Sequence, residues 1–488
     1  MSRVISKRHA DIHTALEPER RGEPADHFQE VPPMLTFFTR KRASSLALAI
    51  ALATGGATVA TAIFPADASA QRRDRDRDRQ QQSEGGGYSD AFRAAYVPLD
   101  EALKAEGANP AALKPQLLAL VPLLTTQDEK IAGGGMIFNA GIAASDRELQ
   151  LQGMELMIAS GKVPAEQIGR YNFIAYQLSN EANQFAKARQ YLQGAIDNNF
   201  TTADINRPLL QFNMAENFWR EGNYAGGFDY IENVIAERKA AGQPIDEAWY
   251  RRGISVAYEN EVSPTVYEWA SMWITDYPSE FAWTESINIV RNLNTFTGAE
   301  ILDLFRLSRR VGALQDASDY DYYVEAADPR RLPKEVKDVI DEGMQAGIVT
   351  SGNLFISEAL ETANGRIAAD RADLPALEAD AMAADAGIRT VNAAAGTFLS
   401  YGDYAKAETL YVKALGMPGV DTSEASLRLG IARVGLGNFD GAREAFGMVS
   451  GNRLPIANLW IAHANSLETA ASAATGAAPA APEMMPEG

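Results

Sequence analysis

Carboxylates are the only side chains in this sequence numerous enough to run acid–base chemistry. Its 488 residues include 64 Asp and Glu but four His and no Cys. Without Cys there are no disulfides, thiolate metal sites or thiol nucleophiles. Three histidines (His9, His13, His27) fall in the first 27 residues and only His463 lies beyond them, which removes most His-based triads, two-histidine metal sites and general-base schemes. What the count leaves open is a pair of acids acting as in glycoside hydrolysis. Pairs such as Asp128-Glu129 and Asp341-Glu342 fall on polar helical faces and read as solvated surface.

The remaining motifs argue for packing rather than catalysis. Gly133-Gly134-Gly135 is a glycine run, but no strand precedes it and no Lys-Ser or Lys-Thr follows, so close helix packing explains it better than phosphate binding. Asp316, Asp319 and Asp321 alternate like the start of a calcium loop but lack the Gly and the closing Glu. Met136, Met154, Met157, Met214 and Met272 fall at helical spacing and read as core filling. His463, four residues after Leu459, reads as a half-buried residue on the last, capping helix. No metal and no cofactor is expected.

Residues 40–70 carry the marks of an export signal: Arg40-Lys41-Arg42, an apolar run from about Leu46 to Phe64, then Ala68-Ser69-Ala70 before Gln71. Signal peptidase needs a small-x-small triplet, so cleavage between Ala70 and Gln71 and a periplasmic location are expected. An uncleaved inner-membrane anchor is the alternative; the run is about long enough, but Gly55-Gly56 and several Thr weaken it. Residues 1–33 are polar and aperiodic, and we expect translation to start at Met34, making 34–70 the signal. Segment 71–87 alternates Arg with Asp and ends in Gln and Gly with no apolar residue, a solvated tether. Beyond residue 79, 32 basic residues face 54 acidic ones. That balance repels phosphate backbones and anionic membrane surfaces, so nucleic acid is not an expected partner.

The length suggests about three domains, but the pattern suggests one repeated element. From about Tyr88 the apolar residues recur at three and four, strands are hard to find, and Gly, Asn or Pro interrupts every 12 to 18 residues. A turn signal then repeats, in which Gly, Asp or Asn precedes an aromatic and a small residue follows three later. It is clearest at Gly402-Asp403-Tyr404 with Ala407, Tyr411 and Ala414, and at Gly437-Asn438-Phe439 with Ala442 and Phe446. Upstream, Gly222-Asn223-Tyr224 with Gly227 and Asn183-Gln184-Phe185 with Ala188 repeat it, and Trp249-Tyr250 with Gly253 opens another unit.

With these residues the chain resembles the tetratricopeptide repeat family. The resemblance implies an all-α, right-handed α-solenoid of stacked antiparallel helix pairs, in which Gly253 and Gly430 mark close helix crossings. Units are expected at about 132–165, 169–202, 208–241, 246–279 and, more faintly, 280–313, then at 388–421 and 423–456, with a terminal helix around 456–467. Residues 89–125 supply two capping helices interrupted by Pro110 and Pro115. The stretch 314–387 departs from the pattern, with helices at 333–346, 353–368 and 374–384; it is either a hinge between an 88–313 lobe and a 388–468 lobe or a run of eroded repeats. The tail 469–488 is expected to be disordered.

The family pattern also implies which side chains line the groove, at five places on each first helix. These are Arg170, Phe173, Gln177 and Asn180; Leu209, Phe212, Glu216, Trp219 and Arg220; and Glu247, Tyr250 and Tyr258. Trp219 beside Arg220, across from Asn180 and Tyr258, is the most suggestive patch, since Trp, Tyr and Arg dominate binding hot spots; inter-repeat packing is the other reading of Trp219. The expected function is a non-catalytic scaffold that binds a peptide or protein partner in its concave groove. The alternative is a cell-wall glycan binder or a glycosidase relying on carboxylates.

Overall fold

The computed structural model describes residues 87–476. The expected extension 1–33, the expected signal 34–70 with its Ala70/Gln71 junction, the expected tether through 86 and the residues beyond 476 lie outside the described residues. Among those described, no helix is long and apolar enough to cross a membrane.

Twenty α-helices and no strand make up the described chain. α1 (Asp90–Lys104) and α2 (Lys114–Leu120) precede five helix pairs: α3 (Gln127–Ala143) with α4 (Arg147–Ala159), α5 (Ala165–Glu181) with α6 (Phe185–Asp197), α7 (Arg207–Glu221) with α8 (Tyr224–Ala240), α9 (Glu247–Glu259) with α10 (Thr265–Asp276), and α11 (Glu280–Asn292) with α12 (Gly298–Arg310). Then come α13 (Ala317–Ala327), α14 (Pro333–Gln345) and the long α15 (Leu354–Met382), followed by α16 (Ile388–Ser400) with α17 (Tyr404–Leu415), α18 (Thr422–Gly435) with α19 (Phe439–Phe446), and α20 (Leu454–Gly476). Nearly every helix packs closely on its neighbours in sequence, the arrangement of an α-solenoid, in which one pair buries its apolar stripe only against the next.

The turn signal has a local physical cause. Gly222, Gly402 and Gly437 close the first helices at φ 87°, 75° and 74°, a left-handed conformation that favours glycine. Asn223, Asp403 and Asn438 then accept hydrogen bonds from the amides of Gly226, Lys406 and Gly441, capping the second helices. The small residues permit close crossing: a methyl group at Gly253 or Gly430 would overlap the ring of Trp269 or Phe446. The Gly133 to Gly135 run is likewise buried inside α3; a methyl at Gly134 would meet the Gly153 carbonyl of α4 at 2.8 Å.

Several boundaries differ from the expectations. The first pair begins at Gln127 rather than about 132, because Thr126 and Glu129 form a capping box. Pro115 does not interrupt a helix but opens α2, where its missing N–H costs nothing. The two helices expected at 353–368 and 374–384 are one. α15 runs through Pro375 on an exposed turn, where water can take up the freed carbonyl. α20 extends to Gly476, since its Ala-rich end is strongly helix-forming.

The largest difference is in long-range packing. A single hydrophobic core joins residues of α7 to α12 with residues of α16 to α20, including Trp269, Trp283 and Leu304 on one side and Phe398, Phe446 and Trp460 on the other. The 388–468 segment is therefore not a separate lobe. α13, α14 and the start of α15 pack on α12 around their own cluster of Phe305, Tyr323, Val336, Ile340 and Ile356. They carry the chain outward before it returns to α10, α11 and α12. Polar contacts fix the return: Arg428 donates to buried Asp303 at 3.1 Å, the Trp460 indole N–H to the Asp303 carbonyl at 3.1 Å, and Arg453 pairs with Glu300 at 3.3 Å.

Candidate binding groove

The first helices α5, α7 and α9 are tied side by side through their polar residues. Asn217 on α7 donates to Asn180 on α5 at 2.9 Å. Arg252 on α9 grips Glu216 on α7 with two bonds of 2.7 and 3.2 Å, a fork geometry that sets orientation as well as energy. Phe212 stacks on Trp249 with ring centres 5.3 Å apart. These links make one continuous face from three successive units.

The expected groove residues divide by burial. Arg170 and Arg220 are exposed. Among the described residues Arg170 has no ion pair or hydrogen bond, and Arg220 makes only a cation–π contact with Phe185, 5.5 Å from its ring centre. Asn180, Glu216 and Tyr258 are half-buried, the first two engaged as above. Gln177, Leu209, Phe212 and Glu247 are also half-buried. Phe173, Trp219 and Tyr250 are core.

Trp219 is only 4% exposed and packs on Gly227, on Phe228 at 5.0 Å and on Trp269 at 6.5 Å. It is a packing residue, not a groove-facing anchor, because the missing side chain of Gly227 lets the indole drop into the α7/α8 crossing. Tyr250 is fully buried and donates its hydroxyl to Asp276; burial and then that carboxylate push its phenol well above the usual range.

One cavity, of about 600 Å³, opens between α7, the end of α8 and the start of α9. Leu209 and Glu247 line it, as do Pro208, Pro244, Ile245 and Trp249. Arg238 reaches in from α8, donating to the Pro244 carbonyl at 2.7 Å while its Nε is buried without a hydrogen-bond partner. The family positions found Leu209 and Glu247 but missed Arg238 and the Pro244-Ile245 wall, since those lie on a second helix and an inter-unit turn.

Carboxylates form no convergent catalytic pair in this cavity. Asp246 caps α9 and Glu247 accepts the Trp273 indole N–H at 3.0 Å. Burial raises the carboxyls of Glu232, Glu285 and Asp321, but these stand on α8, α11 and α13, outside the lining of this cavity. In the Asp-rich stretch, Asp316 caps α13, Asp319 pairs with Arg291 at 2.9 Å and Asp321 accepts from Asn353. Among the described residues no group of three or more His, Cys, Asp or Glu could hold a metal. No protein-family model matches the chain, and no curated protein matches it.

Proposed function

We propose that the chain is an exported repeat scaffold of tetratricopeptide type that binds a peptide or protein segment across α5, α7 and α9 and performs no chemistry of its own. The observation that carries this reading is the continuous face built by the Asn180–Asn217 and Glu216–Arg252 links, on whose helices Arg170 and Arg220 stand exposed. Side chains already held in place reduce the ordering cost of binding. The two arginines, without a carboxylate partner among the described residues, suit acidic residues of the bound segment even though the whole chain is acidic.

Crosslinking and affinity capture from an envelope fraction, with wild type compared with an Arg170→Ala, Arg220→Ala double variant, tests the reading. A specific band should weaken in the variant; an unchanged set of captured proteins contradicts the assignment of this face. Incubation of purified residues 71–488 with peptidoglycan tests the absence of chemistry, since released muropeptides would refute it.

A further inference from the structure

Where the returning units meet α12, its last turn presents Arg306, Arg309 and Arg310 to a second cavity, of about 370 Å³. Two of the three are neutralised. Arg306 is held by Glu335 at 2.7 Å and Asp303 at 2.9 Å, and Arg309 by both carboxylate oxygens of Glu342. Asp338, also in the wall, is taken by Lys334.

Arg310 has no carboxylate partner among the described residues. One of its nitrogens donates to the Tyr404 hydroxyl at 2.9 Å, and its guanidinium lies 5.5 and 5.4 Å from the ring centres of Tyr404 and Trp460. Its other N–H groups have no acceptor among the described residues, and the side chain is exposed. The Tyr404 oxygen, having accepted one bond, keeps its own proton to donate. Leu399, Ile431 and the ring of Tyr401 add apolar wall. The charge of Arg310 is also felt nearby: the His463 imidazole is held down to about 4, by burial first and by Arg310 second.

We propose that this cavity binds a small organic carboxylate with an apolar body, held by Arg310 and Tyr404. A planar carboxylate matches the guanidinium edge, and one negative charge matches the one cation left without a counter-ion. The volume suits an organic acid rather than a bare ion. Because Arg310 ends α12 and Tyr404 opens α17, a bound acid bridges the two parts of the chain that meet there and stabilises the closed array by mass action.

Benzoate titrated into the full chain, followed by calorimetry and by the NMR signal of His463 (identified with His463→Asn), tests the proposal. Saturable one-to-one binding with a Kd of roughly 1 mM or tighter is expected, together with a rise in the His463 pKa as the carboxylate neutralises Arg310. Benzyl alcohol, which keeps the ring without the charge, should not bind. Arg310→Gln should weaken benzoate at least about tenfold, and Tyr404→Phe, which keeps the ring packed, about three- to tenfold. Failure of benzoate to saturate, equal binding of benzyl alcohol, binding of inorganic phosphate in its place, or a Kd unchanged in both variants would overturn it.

Discussion

Trp219 and Arg220 are adjacent in sequence but do different work. Trp219 fills the crossing of α7 and α8 under Phe228 and Trp269, so Trp219→Ala should cost about 3–5 kcal/mol of stability in urea unfolding. Trp219→Phe should cost much less, because most ring contacts stay and the indole N–H it removes has no partner. Arg220→Ala should stay within about 0.5 kcal/mol, leaving any effect on capture to be read as binding. His463, the one histidine beyond residue 27, is 8% exposed between Trp283 and Trp460, deeper than its place near the chain's end suggests. Its pKa is about 4 when folded against 6.5 for a free imidazole, so the unfolded chain binds the proton more readily. Stability should be unaffected above about pH 7 and fall as pH drops from 6.5 to 4, by about 3 kcal/mol in all. His463→Phe should flatten that part of a pH series of melting curves.

At the scale of the helix, what was legible in the sequence is what is encoded locally. A left-handed Gly, an Asx cap and an aromatic stand within three residues of one another, so the turns at 222–224, 402–404 and 437–439 could be read directly. The crossings at Gly253 and Gly430 follow from the same register. Substituting Ala at either should cost about 2–3 kcal/mol, because the ring of Trp269 or Phe446 must move in a filled core. Gly365, inside exposed α15 with nothing near it, supplies the contrast: Gly365→Ala should stabilise by about 0.5–1 kcal/mol, and thermal unfolding of the three variants checks both signs. Burial of Trp219 was not legible, because it depends on Gly227, Phe228 and Trp269 together. The capping boxes at Thr126/Glu129 and Thr297/Glu300 were present as Thr-x-x-Glu and would have moved the first pair to its true start.

Over the whole chain, contacts across more than a hundred residues decide the architecture, and no periodicity reports them. Asp303 and Arg428 are 125 positions apart, yet their bond joins α12 to α18 inside the core that unites α7–α12 with α16–α20. Asp303→Ala removes the carboxylate shared by buried Arg306 and Arg428, which keep Glu335 and Glu424, and should cost about 1.5–3 kcal/mol. Hydrogen exchange should then rise together in α12, α18 and α20; a rise confined to α12 would show that the returning units stand alone. Joined in this way, the array presents α5, α7 and α9 as a supported face, the proposed seat of a partner. The most direct measurement places a photo-crosslinking amino acid in turn at Arg170 and Arg220 on that face and at Gln190 and Asp229, exposed on the second helices α6 and α8. Irradiation in intact cells should give one discrete adduct from positions 170 and 220 and none from 190 and 229. Adducts from the second helices alone, or none from either set, would contradict it.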